Sequence, residues 1–486
     1  MSEAISVRGL TKVYGGKTIV DHLDLSVKSG TVFGLLGANG AGKSTTIECM
    51  LGTKKADEGT VLLLGQGPSR RRRALFQRIG VQFQEGDYHR EIRVSELCEE
   101  TASLYRKPAD WQKLCAQFGI GDKENAAVKC LSGGERQRLF IVFALIGQPE
   151  LVFLDELTTG LDAKARRGVW KTLEALKDQG LTIFLTSHFM DEVEALCDEI
   201  CILKKGVPVF SRNRGAGKGA LRLRAFRRCL SEDFRRGGGR MKRFFVYLKT
   251  ELKLSLRDMN MPIFAVIMPL IVFVILGIIY GTKPAYDGAS YTFLEQTFGA
   301  AAAIAICAGG LMGLPQAVSG LRELKILKRL RVTPAGPVFI LGVELSMYIV
   351  YCIVSLATLT AAALLWGVRL HGSLPAFLGS WALTMLSALS IGMLVGGTAK
   401  DVKQASVLAS ILYFPMLIFS GTTLPIEVMP AAMQKIVGVF PLTQGITMMK
   451  QAFLGISAGS VLLPVCVMLG VSALCTALSI RFFRWE

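Results

Sequence analysis

At 486 residues the chain is long enough for two or three domains, each with its own core. Its 51% hydrophobic residues are not evenly spread: residues 1–210 alternate apolar runs with charged stretches, whereas 261–486 are mostly long apolar runs, which excludes a wholly soluble protein. The net charge of +18 does not indicate nucleic-acid binding, because a net eight of it lies in residues 211–240 and most of the rest flanks apolar runs.

The eleven cysteines are scattered with no C-x-x-C pair. Cys307, Cys352 and Cys466 lie inside apolar runs, so buried reduced thiols and a reducing compartment are expected. Residues 1–12 lack an apolar core, and the amino terminus is expected to stay in the cytosol.

In chain order, the apolar run 31–36 leads into Gly37-Ala38-Asn39-Gly40-Ala41-Gly42-Lys43-Ser44-Thr45. This segment fits the phosphate-loop pattern G-x-x-x-x-G-K-[ST] at every fixed position. Its glycines let backbone N–H groups curl around a triphosphate, and Lys43 sits where it can neutralise β- and γ-oxygens. Ser44 offers a hydroxyl to Mg²⁺ and Thr45 can reach an α-phosphate. A second run, 151–154, ends at Asp155-Glu156, and a third, 181–186, ends at Ser187-His188. Strand and helix alternating in this way predict an α/β fold with a mostly parallel sheet, whose polar strand ends converge on one crevice. Adjacent carboxylates there divide the labour: Asp155 orders the magnesium shell and Glu156 polarises the attacking water as general base.

Residues 211–240 are rich in Arg and Gly and read as a flexible basic linker. The alternative is a frameshift or fusion, since Met241-Lys242-Arg243-Phe244-Phe245 looks like the start of a separate membrane protein. Over 241–260, Phe245, Leu248, Leu252 and Leu256 share one helical face, with Lys242, Lys249, Lys253 and Arg257 largely opposite. This predicts an amphipathic interfacial helix. Residues 261–486 then predict an all-α domain of six spans at 262–281, 298–320, 338–366, 377–397, 405–422 and 459–480. Basic residues gather at 322–331, at Lys400 and Lys403, and at Arg481 and Arg484, which places both ends of the chain on the cytoplasmic side. The broken apolar stretch 423–458 predicts a pair of short re-entrant helices on the outer side. Glu344 lies in an apolar stretch, either as a functional group or reaching the cytosolic interface.

Leu131-Ser132-Gly133-Gly134-Glu135-Arg136-Gln137-Arg138 resembles the signature of ATP-binding cassette (ABC) transporters. The order of phosphate loop, signature, Asp155-Glu156, Gly160-Leu161-Asp162 and Ser187-His188 is similar to that family throughout 1–210. Residues 241–486 resemble a type-2 ABC exporter permease. The resemblance implies an α/β P-loop NTPase cassette (1–210), the linker, the interfacial helix and a six-span permease (261–486). It implies that Tyr14 stacks on adenine, that Gly37, Asn39, Gly40, Gly42, Lys43, Ser44 and Thr45 bind ATP, and that Gln84 touches magnesium and couples to the membrane half. Gln82 is the nearest rival to Gln84, and an ordinary strand-edge aromatic is the alternative for Tyr14. It implies further that Ser132, Gly133 and Gly134 close over the nucleotide of a second copy, that Asp162 crosses to the partner's site, and that His188 is the switch on the γ-phosphate. Arg322–Arg331 then becomes a coupling segment docking on the cassette beside Gln84, the alternative being a plain basic loop.

Two residues depart from the family pattern: Leu157 stands where proline is usual, and Glu135 where glutamine is commoner. The Arg/Gly stretch also replaces the helices that usually finish the cassette. The implied activity is ATP hydrolysis with Mg²⁺ by a homodimer in the cytoplasmic membrane of a prokaryotic cell, exporting a small amphipathic or hydrophobic cargo such as a drug, lipid or peptide. The implied partners are ATP, a second copy, the bilayer and the cargo, without nucleic acid. The alternative is an ABC ATPase acting as a regulator or envelope-stress sensor without transport of its own.

Overall fold

β1 (Glu3–Tyr14) and β2 (Lys17–Lys28) pair antiparallel, and β4 (Glu58–Leu63) joins them in a three-stranded sheet of order β2-β1-β4. In β2, buried Val20, Leu23, Leu25 and Val27 face the core while the residues between them face outward, as expected of a half-covered strand. The computed structural model describes residues 3–69, 72–84, 88–89, 91–158, 160–187, 189–213, 239–286, 288–335, 337–421, 430, 433–434, 437–456 and 462–483.

The second sheet behaves differently. β3 (Val32–Leu36), β6 (Leu151–Asp155) and β7 (Thr182–Ser187) are buried at every position, the mark of parallel strands covered on both faces. With β5 (Ile79–Gln82), β8 (Glu199–Lys204) and β9 (Val207–Asn213) they form six strands in the order β5-β6-β7-β3-β8-β9. All neighbours in it are parallel except the β8–β9 hairpin. The expected parallel sheet is therefore present, with β3, β6 and β7 side by side. Helices α1 (Lys43–Met50), α2 (Val94–Ser103), α3 (Trp111–Gln117), α4 (Gly133–Leu145) and α5 (Ala163–Asp178) complete the α/β fold, whose core includes Phe33, Phe153 and Phe184.

Contacts divide the chain into one unit of residues 1–250 and 325–339 and another of 251–324 and 340–486. Segment 325–339 thus groups with the nucleotide-loop unit, whereas the sequence reading puts all of 261–486 in one domain. Val332 lies in the same core cluster as Ile47 and Met50. Helix α6 (Gly239–Asp258) is the expected lead-in helix. It buries Tyr247 and Leu254 and leaves Phe245 and Leu256 exposed, so an apolar stripe remains outward.

Among the described residues, six helices, almost wholly in the second unit, are long and apolar enough to cross a membrane: α7 (Asn260–Tyr280), α8 (Phe293–Glu323), α10 (Val338–Leu365), α11 (Leu374–Thr398), α12 (Val402–Phe419) and α14 (Leu462–Phe482). Between α8 and α10 lies the short α9 (Ile326–Arg331) of the first unit. α8 begins five residues before the expected 298, because Thr292 and Glu295 form a capping box that hydropathy does not register. Gly392 of α11 meets Gly310 of α8 so closely that a Cβ there would lie 1.8 Å from the Gly310 carbonyl oxygen. Small residues permit such backbone approach between spans. The first half of the expected re-entrant pair falls largely outside the described residues. In the second half, α13 (Pro441–Leu454) is too short to cross, at about 21 Å, and packs Leu442, Ile446, Met449 and Phe453 into the bundle core.

Arg322 requires a correction. Its guanidinium is buried in the bundle unit, donating to the carbonyls of Gly396 (3.1 Å), Gly397 (3.1 Å) and Ala399 at the end of α11. Three free carbonyls at a helix C-terminus are a strong site for a cation, so Arg322 caps α11 and the docked segment starts only at Lys325.

Candidate nucleotide site

The site grows from the carboxyl ends of β3, β6 and β7. After β3 the chain turns through Gly37–Gly42 into α1. A Cβ on Gly37 would lie 2.5 Å from the Leu203 carbonyl oxygen, and one on Gly42 2.7 Å from that of Ile19, so the loop closes only on glycine. Lys43 is 5% exposed and donates its ammonium to the carbonyls of Gly37 (2.8 Å) and Ala38 (3.2 Å). It is held at the loop, where phosphate oxygens can take over those hydrogen bonds. Asn39 and Gly40 form the exposed tip, and Ser44 and Thr45 start α1 half-buried.

Asp155 ends β6 and is buried, which pushes its carboxyl above the ordinary range, while the hydroxyls of Thr186 and Ser44 pull against that rise. The in-register pairing of β6 with β7 sets Asp155 opposite Thr186. Thr186 Oγ1 donates to Asp155 Oδ1 at 2.5 Å and accepts from the Glu156 backbone N–H at 3.0 Å. One hydroxyl therefore ties both acidic residues. Glu156 stands at φ 52°, a left-handed conformation that costs a non-glycine residue about 1–2 kcal/mol. Gln137 of α4 helps hold the turn by donating to the carbonyls of Leu157 (2.9 Å) and Glu156 (3.3 Å). Leu157 is fully buried beneath it, so the departure from proline leaves a tied turn rather than a loose one.

Ser44 and Asp155 supply a hydroxyl that lowers the carboxyl and the carboxyl itself, hard oxygen donors suited to Mg²⁺. No cluster of three or more His, Cys, Asp or Glu that could hold a metal occurs among the described residues. With one hydroxyl and one carboxylate from the chain, the remaining positions of such an ion would fall to the substrate's phosphates and water.

Gln82, not Gln84, reaches Asp155: it is buried and donates to the Asp155 carbonyl at 3.2 Å, while Gln84 is exposed two residues beyond β5. His188 lies outside the described residues. Tyr14 is 42% exposed, with the Lys12 ammonium 4.9 Å from its ring centre, and its outer face suits a planar base. Ser132 is the exposed N-cap of α4: it accepts from Glu135 N–H at 3.2 Å, and Glu135 returns a carboxylate to Ser132 N–H at 2.8 Å. The Ser132 backbone N–H, then its hydroxyl and Lys123, hold the Glu135 carboxyl below its ordinary range. Gly133 and Gly134 follow at the start of α4, and a Cβ on Gly134 would touch Leu161 at 3.4 Å. Asp162, exposed, caps α5 by accepting from Ala165 N–H at 2.7 Å. The structure thus brings Lys43, Ser44, Asp155 and Glu156 to the carboxyl ends of β3 and β6, which flank β7, and sets Ser132 and Asp162 outward on two helix starts. Sequence reasoning missed Thr186 and Gln137; the pairing of run 181–186 with run 151–154 is the signal that finds Thr186.

A family model described as "ABC transporter" matches residues 20–159, and one described as "ABC-2 type transporter" matches 242–454. The Nod factor export ATP-binding protein I of Ralstonia nicotianae is 42% identical over 208 residues, covering 42% of this chain and 64% of that protein. The daunorubicin/doxorubicin resistance ATP-binding protein DrrA of Streptomyces peucetius is 36% identical over 233 residues, covering 46% of this chain and 71% of that protein. A solved structure described as an ATP binding subunit of an ABC transporter is 23% identical, covering 43% of this chain and 90% of its own, with a TM-score of 0.41.

Proposed function

We propose that this chain, which belongs to the ATP-binding cassette (ABC) transporter family, hydrolyses ATP to drive export across the cytoplasmic membrane. The observation that carries the reading is the joining of a complete phosphate loop and acidic strand end to six apolar spans on one polypeptide. The cassette and the type-2 permease are matched in turn along the chain. One relative is a Nod factor export ATP-binding protein and another a daunorubicin/doxorubicin resistance ATP-binding protein, and we extend outward transport of an amphipathic or hydrophobic cargo to this chain.

In this reading Tyr14 stacks on adenine, while the loop amides from Gly37 to Thr45 and the Lys43 ammonium hold the phosphates. Ser44 and Asp155, with Gln84, would hold Mg²⁺, which would supply neutralisation of phosphate charge when bound. Glu156 accepts the proton of the attacking water, with Gln84 and His188 beside the reacting phosphate. Ser132, Gly133, Gly134 and Asp162 face the nucleotide of a second copy, so two chains make two composite sites and twelve spans.

The test is ATPase activity of the full chain in phospholipid vesicles, wild type against Glu156→Gln, across a panel of drugs and lipids. Removal of a general base predicts a loss of about 10²- to 10⁴-fold, and stimulation by one compound class identifies the cargo. A Glu156→Gln chain hydrolysing at the wild-type rate refutes the assigned base.

A further inference from the structure

Helix α9 docks on the phosphate-loop unit through contacts that converge on the far end of α1. Glu48, the sixth residue of α1, is 6% exposed and pairs with Lys328 of α9 on one carboxylate oxygen and with Lys54 at 2.7 Å on the other. Arg331 donates to the Thr53 carbonyl at 3.0 Å, and Arg72 donates to the Arg331 carbonyl at 2.7 Å. The Glu48 backbone carbonyl itself accepts from Thr53 N–H (3.0 Å) and Lys54 N–H (3.1 Å), closing the end of α1 into a tight turn. Burial pushes the Glu48 carboxyl up, but Lys328 and Lys54 outweigh it and hold it below its ordinary range.

Two physical points give this arrangement a direction. Cations are favoured at a helix C-terminus and phosphates at its N-terminus, so both ligands of α1 sit where the helix dipole favours them. An eight-residue helix is only about 12 Å long and moves as one piece. The phosphate loop and the docked segment therefore hold opposite ends of one short rod. On the other side of α9, Arg329 stacks on Tyr88 at 4.0 Å, and Tyr88 packs on Phe140 of the signature helix α4 at 5.1 Å. The segment leaves the bundle unit at Leu324 and rejoins it at Ile340.

We infer that Glu48 is a positioning residue through which phosphate binding at one end of α1 is read by the docked segment at the other. This rests on the ATPase reading above and adds a route that does not pass through Gln84. Glu48 touches no reacting atom, so ATP still binds without it, with an affinity changed by no more than the coupling factor. By linkage, whatever nucleotide does to docking, docking does to nucleotide, by the same factor.

The experiment uses the full chain in phospholipid vesicles, in the Glu156→Gln background. Hydrogen–deuterium exchange of the amides of 326–331 is followed with and without MgATP, and ATP affinity is measured in parallel. MgATP is expected to change that exchange about fivefold. Adding Glu48→Lys is expected to abolish the change with ATP still bound, and the charge swap Glu48→Lys/Lys328→Glu to restore it. If Glu48→Lys fails to accumulate, Glu48→Gln is expected to shrink the change in the same way. Persistence of the full ATP-dependent change in either Glu48 variant overturns the inference and leaves the ATPase reading intact. Failure of the background protein to bind ATP overturns the ATPase reading, and the inference with it.

Discussion

In the cassette, buried polar side chains look across to one another: Asp155 meets Thr186 and Ser44 from three different elements, and Gln137 reaches from α4 to the turn after β6. In the bundle Arg322 and Glu295 also reach across, but several buried hydroxyls fold back on their own helices. The hydroxyls of Ser319, Thr384, Ser390 and Ser472 each donate to the carbonyl four residues earlier, at 2.7–2.8 Å. A hydroxyl satisfied within its own turn presents little more than a small hydrocarbon surface to its neighbours, which suits spans packed by shape in an apolar medium. Cross-element polar contacts instead fix atoms relative to one another, as bond breaking requires. Chemistry therefore concentrates in one region and packing fidelity in the other.

That contrast predicts chemical failure without unfolding in the cassette, and unfolding without a specific chemical defect in the bundle. Lys43→Ala removes the ammonium from the phosphate loop and is expected to lower ATPase turnover at least about a hundredfold, with thermal unfolding of the full chain unchanged. Gly392→Val has no room beside Gly310; overpacking of this kind costs about 1–3 kcal/mol, read as a lowered melting temperature in detergent. Normal melting of Gly392→Val would break the comparison.

Thr186→Val keeps shape and removes the hydroxyl from Asp155, so kcat/KM is expected to fall about tenfold, with Thr186→Ser restoring most of it. The sign of the pH effect follows. Thr186 opposes the upward push of burial on Asp155, so its loss raises that carboxyl further and moves the acid limb of the activity profile to higher pH. An unmoved acid limb would reduce Thr186 to packing. The smallest effect is at the signature cap, where Ser132→Ala is expected to cost about 1 kcal/mol of stability by thermal melting. Glu135, with its folded carboxyl below the ordinary 4.5, contributes stability above that value. This contribution fades as pH falls through the lower folded value, so the gap between wild type and Glu135→Gln should narrow in acid.

Much of the architecture was legible because its signals are local. The run 31–36 followed by Gly37–Ser44 carries its own context, and six apolar stretches announce six helices with small errors at their ends. Where reading failed, the deciding partner was distant in sequence. Arg322 looked like part of a basic docking loop until three carbonyls from α11 came to it. That Gln82 is buried against the Asp155 carbonyl while Gln84 stays exposed beyond β5 was likewise decided by strand packing. The role of Thr186 depends on lying opposite Asp155 in the sheet.

Residue order alone determined the phosphate loop, the acidic strand end, the signature stretch and the alternation of soluble and apolar halves, since each arises from neighbours a few residues apart. Only the tertiary structure decided which hydroxyl holds Asp155, which arginine caps α11, and that Lys328 closes on Glu48 some 280 residues away. Hydrogen bonds and ion pairs act over a few ångströms of space, and separation along the chain carries no record of them.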